Sequence, residues 1–225
     1  MAAHGEAKGN DGGPVTSNEV ANWVSDRVKT GRFVPGQRLI EGDIMRATGA
    51  SRSRVREALQ RLEVERLIVI EEFRGASVRT FSDAEMRQLY RVRMALEGLA
   101  AHDFADADEP SLKAELQALQ DQLDACERAS NRAGFSAIND AWHDLIIAGS
   151  RNDYIATFVQ RLRVPSYRLL FATFHKWDRI EQANADHRAI TAAITSGRAE
   201  EAERLMRAHI GDALVAIVEE VRLAD

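Results

Sequence analysis

After Val78 the chain shows no convincing strand pattern, and no sheet is expected in its last two thirds. Those residues read at helical period instead. Ser82-Asp83-Ala84-Glu85 has the form of a capping box, a hydroxyl and a carboxylate three residues apart that satisfy each other's backbone amides. It opens a long helix in which Leu89, Val92, Leu96 and Leu99 are expected to line the apolar face. Further helices are expected over about 111–129, 134–149, 152–174, 178–196 and 199–222, punctuated by Pro110, Gly134, Asn152, Asp178 and Gly197. Pro165 is expected to kink or interrupt the 152–174 segment. Residues 81–225 are thus expected to form an antiparallel bundle of about six helices. The interior of a bundle is a usual place for a ligand or metal site.

The first third reads differently. Residues 1–17 are Gly, Ala, Asn and charge without periodicity, and a disordered tail is expected there. Val20, Val24 and Val28, with Trp23 beside them, fall at helical spacing to about Thr30, where Gly31 stops the helix. Pro35-Gly36 signals a turn. Ile40, Ile44 and Met45 mark a short helix from about Glu41 to near Gly49. Ser51 suits the N-cap of a third helix whose Val55, Leu59 and Leu62 share a face. Leu67 to Glu71 is a short β-branched run, Phe73-Arg74-Gly75 a loop, and Ala76-Ser77-Val78 a return strand. The expected fold is mainly α: three helices and a β-hairpin over 18–80, then the all-α bundle.

Composition limits the classes. With 45% hydrophobic and 29% charged residues, 4 Pro and 14 Gly, the chain is no collagen and no low-complexity polymer. One Cys excludes an internal disulfide framework and favours a reducing compartment. No run reaches the ~18 apolar residues of a spanning helix, and Met1 to Pro14 does not have the pattern of a secretory signal, so no membrane partner and a cytoplasmic location are expected. The formal net charge of -5 argues against nucleic acid until it is divided. Residues 14–80 hold 12 basic and 9 acidic side chains, for +3, whereas residues 81–225 hold 17 and 24, for -7. A basic module on an acidic body points to a polyanion partner for the module.

The third helix begins Ser51-Arg52-Ser53-Arg54-Val55-Arg56-Glu57. Three Arg and two Ser crowd two turns. In a helix-turn-helix the start of the second helix meets base edges in the major groove. Arg can bond guanine O6 and N7 together or hold a phosphate, and Ser hydroxyls and free backbone amides suit phosphate oxygens. Arg74 and Gly75 at the hairpin tip would form a wing. The alternative is a solvated charged face. An Arg-rich helix start, however, opposes the helix dipole, so that alternative supplies no local reason for the cluster.

Pro35-Gly36-Gln37-Arg38-Leu39-Ile40-Glu41, Ser51 to Glu57 running into Ala58-Leu59-Gln60-Arg61-Leu62-Glu63, and Arg74-Gly75-Ala76-Ser77-Val78 together resemble the winged helix-turn-helix of the GntR superfamily of transcriptional regulators. In its FadR-type branch that module is joined to an all-helical effector domain, FCD. The resemblance covers about 18–222. It implies DNA contact by Ser51, Arg52, Ser53, Arg54 and Arg56 and by Arg74 and Gly75. Two positions depart from the pattern. The family commonly has Pro or Thr where Arg54 stands, and some members have a DNA-contacting Arg where this chain has Gly42. Arg54 is a candidate to replace that lost cation.

His143, His187 and His209 fall on three separate expected helices, and Asn139 shares a face with His143 four residues on. Imidazoles converging from separate helices bind first-row divalent metals. By spacing alone, surface or satisfied core histidines are the commoner explanation. The resemblance implies more, because many FCD domains hold a metal with a carboxylate and three His. The matching segments here are Asn139, Trp142-His143, Asp186-His187-Arg188 and Met206-Arg207-Ala208-His209. Asn replaces the family's Asp. A divalent ion of the Zn, Ni or Mn type, held by Asn139, His143, His187 and His209, would be bound more weakly and would keep its full positive charge. It would therefore favour an anionic effector, expected to be a small carboxylate. Arg93 matches a family Arg that pairs the effector carboxylate. Its alternative is a surface pair with Glu97 at i,i+4. Tyr167, Arg168, Phe171 and Trp177 are candidates for the same cavity, for core or for dimer contacts.

The expected function is that of a ligand-responsive repressor. It would be a homodimer on double-stranded DNA with a palindromic operator. The alternative is a metal-dependent hydrolase with a His₃ centre in the helical domain. It lacks a positioned general base among the sequence neighbours of the histidines, and leaves the Arg-rich helix unexplained. An RNA-binding role lacks aromatics interleaved on the basic face.

Overall fold

A computed structural model of the chain describes residues 14–163 and 177–224. The chain divides into two compact units at Arg79 and Thr80.

In the first unit, α1 (Ser17–Lys29) starts behind a true capping box. The Thr16 Oγ1 accepts from the Glu19 amide at 3.2 Å, and Glu19 Oε2 accepts from the Thr16 amide at 2.8 Å. Hydrogen bonds from the Thr16 amide and hydroxyl hold the Glu19 carboxyl below its ordinary range. Thr16 and Ser17 are therefore the cap and first turn of a helix and not part of the expected tail; residues 1–13 lie outside the described residues. Then come β1 (Arg38–Leu39), α2 (Glu41–Thr48), α3 (Arg52–Val64), β2 (Ile68–Glu71) and β3 (Gly75–Val78). α2 ends at Gly49 in the left-handed region, φ 73°. A helix followed by a sharp turn needs that conformation, and glycine adopts it without a Cβ penalty. Val20, Val24, Val28, Ile44, Val55, Leu59, Leu62 and Ile68 are all buried and form the core between α1, α2, α3 and the sheet.

The expected hairpin is present as β2 and β3, and β1 joins it as a third strand. The sheet has three antiparallel strands in the order β1-β3-β2, with Leu39 opposite Ala76 and Ile70 opposite Ala76 on the other side. A two-residue strand is too short to show alternation. Its place is set by the partner strand. Gly75 is the first residue of β3 and not part of the loop.

The second unit contains α4 (Asp83–Asp106), α5 (Pro110–Arg128), α6 (Arg132–Gly149), α7 (Asp153–Arg163), α8 (Trp177–Thr195) and α9 (Ala199–Ala224). α4 packs chiefly on α9, and α5 packs on α6 and α8. Ser82 and Glu85 form the expected capping box. Pro110 sits at N1 of α5, where its missing N–H costs nothing. Gly134 is not a break. It is the third residue of α6, and the Asn131 side chain accepts from its amide at 3.0 Å. A Cβ there would lie 2.5 Å from Asn131 Nδ2, so the glycine makes room for the cap. Pro165 lies outside the described residues.

The face assigned to α4 needs a larger correction. Val92 and Leu99 are exposed, and Leu89 and Leu96 only partly buried. The buried face runs through Met86, Tyr90, Arg93, Glu97, Ala100, Ala101 and Phe104. It contains an Arg and a Glu, so a hydrophobic pattern assigns it to solvent.

Candidate functional site

Two places carry chemistry, one in each unit. The first is the start of α3. Ser51, Arg52, Ser53, Arg54 and Arg56 are all exposed, and Val55 among them is fully buried. Val55 thus turns the other side of the helix start to solvent. Ser51 occupies the N-cap by its backbone (φ -68°, ψ 158°), but its side chain caps nothing. Its Oγ lies 3.0 Å from the Ser53 Oγ, which leaves a pair of hydroxyls beside the first amides of the helix.

Each arginine has an acidic neighbour. Arg56 Nε donates to Glu41 Oε1 at 2.9 Å, and Arg52 Nε lies 3.6 Å from Glu41 Oε2. Glu41 thereby holds two arginines of α3 from the first turn of α2. Arg54 pairs with Glu57 at 3.2 Å, and Arg74 with Glu71 at 3.3 Å. These pairs are exposed, so their strength is modest, ~0–1 kcal/mol, and a polyanion can displace them. A cleft of about 600 Å³ joins Arg38, Glu41, Arg56, Gln60 and Gly75. It brings α3 and the first residue of β3 to one surface. Gly75 has φ 81°, and a Cβ there would lie 3.8 Å from an Arg38 guanidinium nitrogen.

One further cation lines this cleft, and a second lies beside Gly42 on α2. Arg38 sits on β1 over Gly75. Arg46 reaches back one turn on α2, its Nη1 4.0 Å from where a Gly42 side chain would begin, and it pairs with Asp43. Arg46 therefore lies over the space at Gly42. The i,i+4 relation of Gly42 and Arg46 was the available signal.

The second place is in the bundle. His143 on α6, His187 on α8 and His209 on α9 converge, and one ligand atom from each lies within 4.8 Å of the others. All three are buried. His187 Nε2 and His209 Nε2 face each other at 3.2 Å. Trp142 lies against them, its ring 4.4 Å from that of His187. Burial, then His209, His143, Arg179 and Arg188, hold the His187 imidazole well below the ordinary histidine range. It is therefore neutral, the form that binds a metal. Three buried nitrogens from three helices, one on a neutral ring, fit a first-row divalent ion in number and donor type. Asn139 is buried one turn before His143 on α6, and its amide donates to Asp140 Oδ1 at 3.4 Å.

Arg93 and Glu97 do pair, but not at the surface. Arg93 Nε donates to Glu97 Oε1 at 2.8 Å, and the two side chains are 5% and 1% exposed. The Arg93 guanidinium also lies 4.7 Å from the Tyr90 ring centre, in cation–π range. Glu97 is the residue that spacing missed. Its Oε2 lies 3.3 Å from His143 Nδ1, an ion-pair distance without hydrogen-bond alignment. Its i,i+4 relation to Arg93 was visible, its burial was not. Trp177 is partly buried at the start of α8, 6.0 Å beneath Arg132. Tyr167, Arg168 and Phe171 lie outside the described residues.

Behind the histidines runs a polar wall. Trp142 Nε1 donates to Thr191 Oγ1 at 3.0 Å, and Gln120 Nε2 donates to Asn184 Oδ1 at 2.9 Å. Asn184 Nδ2 donates in turn to Asp124 at 2.9 Å, and Arg188 pairs with Asp124 at 2.9 Å and Glu127 at 3.0 Å. These bonds tie α8 to α5 and α6 with their buried polar atoms paired.

Comparison with known proteins divides the chain in the same two places. Residues 16–78 match the family "Bacterial regulatory proteins, gntR family", and residues 88–212 match the FCD domain. The HTH-type transcriptional repressor GlaR of Escherichia coli (strain K12) is 25% identical over 205 residues, which cover 87% of this chain and 93% of that protein. The fold is that of E. coli McbR/YncC, with a TM-score of 0.79 at 19% identity over 91% of this chain and 98% of the other. The metal-free FCD domain of TM0439 aligns over 64% of this chain and 99% of its own length, with a TM-score of 0.53 at 17% identity. No helix among the described residues is long and apolar enough to cross a membrane.

Proposed function

The chain belongs to the gntR family of bacterial regulatory proteins and carries an FCD domain, which makes it a transcriptional regulator and not a hydrolase, and on that premise we propose that it is a repressor released or engaged by a small carboxylate. Residues 18–80 are its DNA-reading unit, and residues 81–225 its effector-binding and dimerising unit. It works in the cytoplasm as a homodimer on a palindromic operator, one reading helix per half-site.

The observation that carries the DNA reading is the exposed start of α3. Ser51, Arg52, Ser53, Arg54 and Arg56 stand in solvent on a helix whose next residues anchor the core. Arg74 and Gly75 would approach the duplex from the wing. The acidic partners of these arginines are displaced as phosphates and base edges take their place.

The effector reading rests on the bundle interior. His143, His187 and His209, with Asn139 beside them, would hold a divalent ion of the Zn, Ni or Mn type. Such an ion, with a neutral Asn among its ligands, supplies a positive centre for a carboxylate. Arg93 would meet the same carboxylate, and its burial beside Glu97 supports that role. An effector that favours one dimer geometry by ~1–3 kcal/mol is sufficient to switch operator affinity.

One experiment tests the premise and the residues together. Operator sequences are selected from random duplex DNA by the intact protein and by Arg52→Ala and Arg56→Ala. Wild type should enrich a palindrome, and each variant should lose ~1–3 kcal/mol, with one base position relaxed where the arginine reads a base. Enrichment of no palindrome by wild type overturns the repressor reading.

A further inference from the structure

Two of the three imidazoles face carboxylates on other elements, one within hydrogen-bond geometry and one at ion-pair distance. His209 Nδ1 lies 3.2 Å from Asp186 Oδ2, within hydrogen-bond geometry. Asp186 is itself held, because its Oδ1 accepts from Gln182 Nε2 at 3.1 Å. His143 Nδ1 lies 3.3 Å from Glu97 Oε2, and the other Glu97 oxygen is fixed by Arg93 at 2.8 Å. Neither carboxylate belongs to the group whose ligand atoms converge within 4.8 Å. Both stand outside the converging group, each facing one of its histidines.

We propose that Glu97 and Asp186 are positioning residues that fix His143 and His209 as Nδ1–H tautomers and so leave both Nε2 lone pairs for a divalent ion. An ionised carboxylate only accepts, so the ring nitrogen it faces carries the proton. The remaining nitrogen is then the donor to the metal. Glu97 does one thing more. Asn139 is neutral where a carboxylate would offset the ion's charge, and Glu97 supplies a buried negative charge behind His143 instead. Because Arg93 shares that carboxylate, an anion that draws Arg93 away leaves Glu97 more negative toward His143. Effector and metal would then favour each other, and by linkage the effect is reciprocal.

The proposal rests on the metal reading, and its test separates the two. Full-length protein stripped of metal is studied by long-range ¹H–¹⁵N correlation of its histidine rings, which distinguishes the tautomers with no metal present. His143 and His209 should appear as Nδ1–H. Glu97→Gln and Asp186→Asn should each release the corresponding ring toward the Nε2–H form common in water. Zinc is then titrated in competition with a chromogenic chelator. Each substitution should weaken zinc binding about 10–100-fold. Asp186 is partly exposed, so Asp186→Asn keeps the test open if Glu97→Gln destabilises the fold. Nε2–H tautomers in the wild type, or zinc affinities within about twofold across all three proteins, overturn the proposal. If wild type shows the Nδ1–H tautomers and binds no zinc, the metal reading is what fails.

Discussion

Arg93 and Glu97 form an ion pair across one turn of α4 with both side chains almost wholly withdrawn from water. An exposed pair at this spacing contributes only ~0.3–0.5 kcal/mol. A buried one behaves asymmetrically, because losing one partner strands the other charge. Arg93→Leu is therefore expected to cost about 3–5 kcal/mol in urea unfolding. Arg93→Leu combined with Glu97→Leu should cost less than the sum of the single changes. An additive double-mutant cycle would show that the pair is not coupled.

Glu41 holds Arg52 and Arg56 in the first two turns of α3. Glu41→Gln should leave folding stability within ~1 kcal/mol, because both pairs are exposed. It should strengthen binding to random duplex DNA at low salt, since one negative charge leaves a surface that meets phosphates. Fluorescence anisotropy over a salt series reads both affinity and slope. By the same measurement, an arginine that holds a phosphate should reduce the slope of log K against log salt by about 0.9 when replaced by Ala.

Zinc should raise the melting temperature of metal-stripped protein, and a chelator should reverse it. At a hundredfold excess over Kd the stabilisation is about 2.7 kcal/mol. His187→Ala should lose that increment whatever its own melting temperature. Asn139→Asp, which adds a carboxylate beside His143, should tighten zinc binding about tenfold, or ~1.4 kcal/mol. Equal zinc affinities for the wild type and the Asn139→Asp variant would exclude this side chain from the site.

Gly149, at the end of α6, has no space for a side chain. A Cβ there would stand 2.4 Å from the Phe104 ring, which is itself fully buried. Gly149→Ala should therefore cost about 1–3 kcal/mol through overpacking. Phe104→Leu in the same chain should recover part of that loss in thermal melts.

Much of the architecture was legible because punctuation and periodicity coincide. Gly49, Pro110, and Ser82 with Glu85 each mark a real helix end. What escaped has a common cause, namely that polar residues were buried. Leu89, Val92, Leu96 and Leu99 look like the inner face of α4 only if Arg93 and Glu97 are assigned to water. β1 escaped because two residues cannot show a period, and its place is imposed by β3. The histidines were found by their segments. Their carboxylate partners, Glu97 and Asp186, were not, because each reaches its histidine across helices that only the folded chain brings together.

The polar wall behind the histidines also acts as a key. Asn184 and Thr191 lie seven residues apart on α8, about 10.5 Å along the helix axis at ~1.5 Å per residue. One is bonded to Gln120 of α5, the other to Trp142 of α6. His187 stands between them on the same stripe. An oily helix can slip past its neighbours and repack with similar burial, but α8 cannot, because a slip of one turn breaks bonds at both posts together. The His187 ring is therefore registered along the bundle like a mark on a ruler clamped at two points.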